Sequence, residues 1–538
     1  MSLSVPLTVR IDGQAITRQA QGLTFRKEAV GGVANIALSL SSPLSSFAVS
    51  ALAKCQVYDA RSGNVIAEGK ISDPGRNAST EDGQRWLVGA MGPAIHASDT
   101  NAPLMVIDQT MDDGWRRVKR ANSAGGDVGK STKPGTDNTD AIVAQFSQGK
   151  TVDTGDQLAV RYERIRDASQ RLGRITYDWD AGQTDANFKA RVVAVLDNTP
   201  DGSPAKTSNW DTAGGTHTAV YSTDFTTGRN QLDLEAYYSG AGTSPGNDKF
   251  WASFANIIIR SILSTNTGGD QGCSNDYVEA DWVIQHLLGS GWLPQYDATN
   301  ASIDTSGTFQ IDQMAYPDGI SPREVLDDLM TLEPAYYWTT GPDVTGLGYQ
   351  FIWKLWPTAV RYEATLEDGG DFPTSTQEIY NRVLVRWNDR RGRSRSTVRT
   401  GACPILDDAG VVRQAVIDVS NELGSTANAQ RIGDNFLAGH KYPPNNGTLN
   451  VARPIRDLTT GRMVQPFEIE PGELIRVRGV ESYPDALNAS SNDGQTVFRI
   501  WATQYTSDTN TATLELDTYP RKTEQALARL QRRRERKR

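Results

Sequence analysis

Histidine and cysteine are scarce in this chain of 538 residues: four and three, respectively. The histidines, His96, His217, His286 and His440, fall in different segments, and no HExxH or comparable metal-ligand spacing joins them. Cys55, Cys273 and Cys403 lie far apart and read as free thiols of a protein folded in a reducing compartment. No Gly-x-Ser-x-Gly elbow is present, so a nucleophilic triad would have to be drawn from distant sequence. No apolar run is long enough to cross a bilayer. The opening MSLSVPLTVRIDG lacks the basic and apolar regions of a secretion signal and goes directly into an alternating strand. Positive charge is also in deficit. With 55 Lys and Arg against 64 Asp and Glu, the net charge of −9 argues against a surface that grips nucleic acid.

What the chain does contain is turn chemistry. Its 49 Gly, 24 Pro and mean hydropathy of −0.48 describe a turn-rich, largely β protein, and its length predicts three to five domains. Leu7, Val9 and Ile11 alternate before an Asp12-Gly13 turn, Ile36, Leu38 and Leu40 alternate again, and Ser62-Gly63-Asn64 reads as a hairpin turn. Trp86-Leu87-Val88 adds another strand, which makes residues 1–110 a first small β domain. Residues 111–149 are polar and glycine-rich and read as a linker. Within them Ala124 to Ser131 loosely fits a phosphate-binding loop, but neither a buried strand before it nor a helix after it is predicted. Residues 150–265 hold short strands at regular spacing, as in a two-sheet sandwich. Asp197 to Gly202 fits the start of a calcium loop, but Ser208 stands where the bidentate Glu belongs, and a hairpin turn is expected there.

Residues 266–365 change character. Val278, Trp282, Val283 and Leu287 recur at helical spacing before Gly289. Ser321-Pro322-Arg323-Glu324 is a capping box with proline at the first helical position, and Val325, Leu326, Leu329 and Met330 form the buried face of the helix that follows. Glu333-Pro334 ends it, and Tyr336-Tyr337-Trp338 and Phe351-Ile352-Trp353 read as paired strands. In residues 366–520, Ala429, Ile432 and Phe436 mark a helix. Alternating Leu449 and Val451, then Leu474, Ile475 and Val477, mark strands separated by turns at Thr460-Gly461 and Glu470-Pro471-Gly472. Residues 521–538 are a strongly basic tail with Ala526, Leu527 and Leu530 as a thin apolar stripe. It is expected to be disordered in isolation and to order against an acidic partner, with nucleic acid or membrane as the alternative.

Phrases such as PGELIRVRG, together with Asn381 to Trp387, resemble the C-terminal barrel of tail hub proteins from long-tailed bacteriophages, which are similar to the baseplate hubs of contractile-tailed phages. YDARSGNVIAEGKIS and LMVIDQTMDDGW resemble the N-terminal barrel of the same proteins. The helix leading into an aromatic hairpin at 321–353 resembles the α/β domain between the two barrels, also found in type VI secretion spikes. The sandwich resembles jelly-roll, galactose-binding-like modules. The resemblance implies a mainly β, multidomain fold: two tail-tube-like β-barrels, an inserted jelly-roll β-sandwich and a small α/β domain.

That family resemblance implies a homotrimeric virion protein at the tail tip, made in the host cytoplasm. It would be a structural hub that adapts the sixfold tail tube to the tip and gates the DNA channel. The implied partners are the distal tail protein ring, the C-terminus of the tape-measure protein, and tip or receptor-binding tail proteins, with transient passage of phage DNA. An acidic wall suits such passage, because each phosphate contact adds holding energy. No cofactor, metal or catalytic residue is expected. Carboxylate pairs such as Asp327-Asp328 and Asp407-Asp408 are present, and glycoside hydrolysis needs two carboxyls roughly 5 to 10 Å apart. Asp327-Asp328, however, is expected on the polar face of its helix. The alternative is a carbohydrate-binding or cell-wall-depolymerising tail protein acting through the sandwich on a host surface glycan. Trp210, Tyr237 and Tyr238 are the candidate contacts for that role, and packing in the core or at a rim is the other reading of those three.

Overall fold

The computed structural model describes residues 6–517, leaving aside 18–19, 42–49, 80–82, 306–308, 312, 367–368, 374–376, 389–393, 482–486 and 489–494. Between 111 and 277 it describes only strands: those named below and the short antiparallel pair Thr151–Val152 and Gly242–Thr243. The protein is mainly β and multidomain, built around one large curled sheet.

That sheet has 15 strands and is assembled from both ends of the chain. From the N-terminal part, Leu7–Ile11, Lys54–Asp59, Val65–Ser79, Gly83–Met91, Gly32–Ser41 and Ala20–Glu28 pair in that order, antiparallel throughout. The turns are those the glycines predict: Asp12 and Gly13 have φ of 45° and 80°, which suits a two-residue hairpin, and Gly63 has φ of 73°. From the C-terminal part, Gln495–Thr506 pairs with Thr511–Asp517, which pairs with Asn446–Val451. On its other edge Gln495–Thr506 pairs with Leu474–Arg478, and that strand runs parallel to Val360–Thr365. The two parts share one core, in which Val9, Leu23, Phe25, Ile36 and Val57 are buried in the same cluster as Tyr362, Leu449, Ile475, Phe498 and Leu514.

A second core holds the α/β part. Helix α1, Ala280–Gly289, buries Val283, Ile284 and Leu287. Helix α2, Pro322–Leu332, is capped by Ser321 as expected: its hydroxyl accepts from the Glu324 N–H, while the Glu324 carboxylate accepts from that hydroxyl in place of the backbone N–H of a full capping box. The aromatic hairpin follows, with Tyr336–Gly341 antiparallel to Tyr349–Leu355 and Trp338 opposite Trp353. This hairpin seats directly on the large sheet. The Gly31 N–H donates to the Trp338 carbonyl at 3.0 Å, and the Thr340 hydroxyl donates to the Gly31 carbonyl at 2.9 Å. At Gly32, with φ of 79°, a Cβ would lie 2.2 Å from the Thr340 hydroxyl, so only glycine allows the approach.

Asn381 to Trp387 does not join the large sheet. Arg382–Asn388 is the centre of a separate three-stranded sheet, antiparallel to Ser394–Thr400 and parallel to Gln414–Asp418. Helix α3, Thr426–Gly439, covers one face of that sheet and is capped by Ser425, whose hydroxyl accepts from the Asn428 N–H. It is the helix expected from Ala429, Ile432 and Phe436, all of which are buried.

The middle of the chain forms two antiparallel sheets. One contains Gly126–Lys130, Ile142–Phe146, Trp251–Leu263, Gln170–Ala181 and Gly215–Val220, and Ala102–Thr110 and Gln313–Ile320 extend it. The other contains Pro204–Thr207, Phe188–Val195, Gln231–Tyr238, Gln157–Tyr162 and Trp115–Lys119. The segment 111–149, expected to be a linker, therefore supplies three strands. Its glycines and charges hid them, because backbone pairing needs neither apolar alternation nor β-branched residues when the partner strands supply both. Ala124 to Ser131, tested above as a phosphate loop, overlaps the strand Gly126–Lys130 instead.

Candidate functional site

The feature that joins distant parts of the chain most closely is the seam where Ala20–Glu28 meets Gln495–Thr506. The register runs from Thr24 opposite Thr506 to Glu28 opposite Ala502. Alternation sends Phe25 inward, where its ring lies 5.0 Å from that of Tyr505. Lys27 also falls on a buried position, and its ammonium reaches Glu470 at 2.8 Å. On the other face Arg26 makes a two-pronged pair with Glu515, at 2.5 and 3.0 Å, and also binds Glu28. The hydrogen bonds to Glu515, more than any other cause, raise the Arg26 pKa above its ordinary value. Long-range ion pairs, Lys27 with Glu470 in the turn before Leu474–Arg478 and Arg26 with Glu515, thus tie the seam on both faces.

Behind the seam, Arg499 is buried in the junction with the aromatic hairpin. Its guanidinium donates to the carbonyls of Gly472 at 2.9 Å and Pro357 at 3.2 Å, and it lies 4.7 Å from the centre of the Trp356 ring. Trp356 in turn stacks on Tyr337 at 3.8 Å and leans on Trp501 at 5.6 Å. Burial pulls the Arg499 pKa down to about 10, and burial pushes the Tyr337 phenol up.

A second tie crosses from the first part of the large sheet to the hairpin turn. Lys54 reaches Glu68 at 3.2 Å and Asp343 at 3.0 Å. Burial raises the Glu68 pKa, although Gln56 and Lys54 pull the other way. Burial works in the same sense on Asp343, but there Lys54 and the backbone N–H groups of Gly346 and Gly348 win, and the carboxyl stays below its usual range. The adjacent Cys55 thiol is pushed up to about 12, chiefly by burial.

Of the candidate sugar contacts, Tyr237 and Tyr238 end the strand Gln231–Tyr238, with Tyr237 in register with Gln157 and Lys189 and Tyr238 with Phe188. Trp210 lies outside the described residues, as do Cys273 and the tail 521–538. The histidines are held apart. His96 pairs with Asp99 at 2.7 Å, His286 is buried in α1 within 3.2 Å of the Ser290 hydroxyl, and His440 stacks on Phe436 at 3.9 Å. His217 sits in the strand Gly215–Val220, in register with Tyr177.

The expectation for Asp327-Asp328 needs correction. Asp328 is buried and accepts a hydrogen bond from the Tyr316 hydroxyl. The turn of α2 carries it to the core side, where a phenol satisfies it; the polar letter alone suggested solvent. Asp407 accepts from the Cys403 N–H and from Asn381, a loop-closing role. An open cleft of about 300 Å³ is lined by Asp371, Asn446, Thr448, Trp501, Glu515 and Asp517, with Glu515 already engaged by Arg26. Among the described residues, no group of three or more His, Cys, Asp or Glu side chains could hold a metal ion.

Neither a family profile nor a curated protein matches the chain. Among solved structures it is similar to a tail protein from Neisseria meningitidis MC58, at 10% identity and a TM-score of 0.43, over 96% of this chain and 97% of that one. It is similar to a 43 kDa tail protein of prophage MuSo2 from Shewanella oneidensis, at 9% identity and a TM-score of 0.41, over 97% and 99%. A prophage tail protein, gp18, from Listeria monocytogenes EGD-e gives 10% identity and a TM-score of 0.41 over 98% of each chain.

Proposed function

We propose that this chain is a structural virion protein of a bacteriophage tail, and that three copies form a hub at the distal end that adapts the sixfold tail tube to the tip and gates the DNA channel. The observation that carries this reading is the seam. The strands of residues 7–91 and those of 360–371 and 446–517 form two halves of one curled sheet that share one core and are fixed side by side by backbone pairing from Thr24 to Glu28. A rigid pair of such halves is the unit that a threefold ring needs in order to present six similar wall elements to a sixfold tube, and closed symmetry makes the assembly self-limiting. The net charge of −9 suits a bore that DNA passes without sticking. On this reading the distal tail ring seats on the six halves, and the end of the tape-measure protein and the tip proteins occupy the two ends of the bore. The two antiparallel sheets of the middle segment decorate the outside.

The test is the mass of the full chain in solution and with purified tail tubes, by sedimentation. The expected species is a trimer that co-sediments with tubes capped at one end. A chain that stays monomeric and leaves the tubes bare would overturn the proposal.

A further inference from the structure

The chain leaves the described fold at the edge of the open cleft. Asp517 ends the strand Thr511–Asp517, and Glu515, Leu516 and Asp517 all line the cleft. Strand register puts two of its acids in one row: Glu515 lies opposite Thr448, and Thr448 lies opposite Asp371. Two strand spacings, about 10 Å, separate them. Glu515 is held by Arg26, but the Asp371 side chain is exposed and has no hydrogen-bond or ion-pair partner among the described residues. Pro373, Trp501 and Leu516 make much of the remaining lining apolar. The volume of about 300 Å³ lies at the bottom of the range for a small-molecule pocket and suits one or two side chains.

The residues that follow Asp517 have the matching order. Thr518-Tyr519-Pro520 supplies a ring and a proline, and Arg521-Lys522 then supplies two bases. They lie outside the described residues, and they begin one residue beyond the cleft. At roughly 3.3 Å per residue, Arg521 and Lys522 come within about 13 to 17 Å of Asp517, far enough to turn back over a cleft whose acids stand about 10 Å apart. A residue before proline is held extended or in a turn, which suits such a return at Tyr519-Pro520. From 518 to 538, nine Lys and Arg stand against two Glu, so the segment and the cleft are opposite in charge.

We infer that the cleft is the seat of the root of the chain's own C-terminal arm. Tyr519 and Pro520 cover the apolar lining, and Arg521 and Lys522 face Asp371 and the acidic rim. The acidic partner expected for the basic tail is thus supplied first by the fold itself, and Arg529 and the bases beyond it are left for a second one. Tethering makes the contact effective: a segment attached one residue away has an effective concentration in the millimolar range, so a contact too weak for a free peptide is populated within the chain. This goes beyond the hub reading and does not depend on it.

The test is limited trypsin digestion of the full chain. Cleavage after Arg521 and Lys522 is followed by mass spectrometry and compared with that of a synthetic peptide of residues 516–528 in the same buffer. At low salt both bonds should be cut at least about tenfold more slowly in the chain than in the peptide, at every protein concentration. Salt at about 1 M should remove most of that protection. Asp371→Arg should remove it as well, and Asp371→Asn should relax it about threefold. Native circular dichroism is expected for both variants, and Asp371→Asn carries the test if the arginine variant fails to fold. Cleavage in the wild type as fast as in the peptide would overturn the seat, and so would protection that salt and the folded variants leave unchanged. Protection that fades on dilution would place the arm on another copy and overturn its seating within one chain. In each of these cases the hub reading stands, because the sedimentation of the chain with tail tubes decides it separately.

Discussion

Arg499 is only 7% exposed, and its guanidinium is held by two backbone carbonyls and a tryptophan face, with no carboxylate in those contacts. Truncation leaves both carbonyls without a donor and leaves Trp356 unsupported, so Arg499→Ala should lower the unfolding free energy by about 2–4 kcal/mol. Lysine keeps the charge but loses the planar fork, and Arg499→Lys should recover only part of the loss. Urea unfolding of the two variants checks both statements. The acidic residues give a pH dependence with a definite sign. Burial works against ionisation at Asp59 and Asp457, but Arg61 holds the first below its usual range, and the N–H groups of Thr460 and Thr459, with Arg361, do so for the second. The stability they contribute is fully present above the unfolded carboxylate pKa, about 4, and is lost as pH falls through their depressed folded values. Glu68, with a raised pKa, acts oppositely and favours the fold as it takes up its proton. Acid titration of the urea midpoint should therefore fall below pH about 4, and Asp457→Asn should flatten that fall.

The strand Ala20–Glu28 shows how an element can be central and still be missed in the sequence. Its buried positions are Ala20, Leu23, Phe25 and Lys27, so a charge occupies one core-facing site and Gly22 interrupts the alternation. Lys27 is tolerated because Glu470, more than 400 residues away, neutralises it, and nothing local reports that. The same holds for the strands inside 111–149, whose partners supply the regularity they lack. By contrast, the start of α2 was legible, because a cap is a local device: the Ser321 hydroxyl accepts from the N–H of Glu324, three residues on. Asp328 failed for the opposite reason, since the phenol that satisfies it comes from another strand. The seam should also behave as one unit in solution. Amides of 24–28 and 502–506 should exchange with deuterium at a common slow rate set by global unfolding. Fast exchange on one side of the pairing, with protection retained on the other, would show that the two halves open independently.

For the whole molecule, two segments separated by more than 260 residues close a single core, and the intervening chain folds into sheets and helices of its own. The sequence resemblance implied two separate barrels. In the structure the strands from both ends of the chain belong to one 15-stranded curled sheet with one core, joined where Gln495–Thr506 pairs with Ala20–Glu28 and with Leu474–Arg478. The α/β part braces this arrangement from the side, through Gly31 and Gly32 at Thr340 and through Lys54 at Asp343. On the proposed hub reading, three copies of this locked pair of halves surround a common axis and match a sixfold ring. Image reconstruction of the full chain bound to the distal end of purified tail tubes tests this most directly. The account predicts threefold density in which six sheet-walled halves, two from each copy, stand at one radius around an open or plugged bore. Density with one copy per tube, or with the two halves of each chain at unequal distances from the axis, would contradict it.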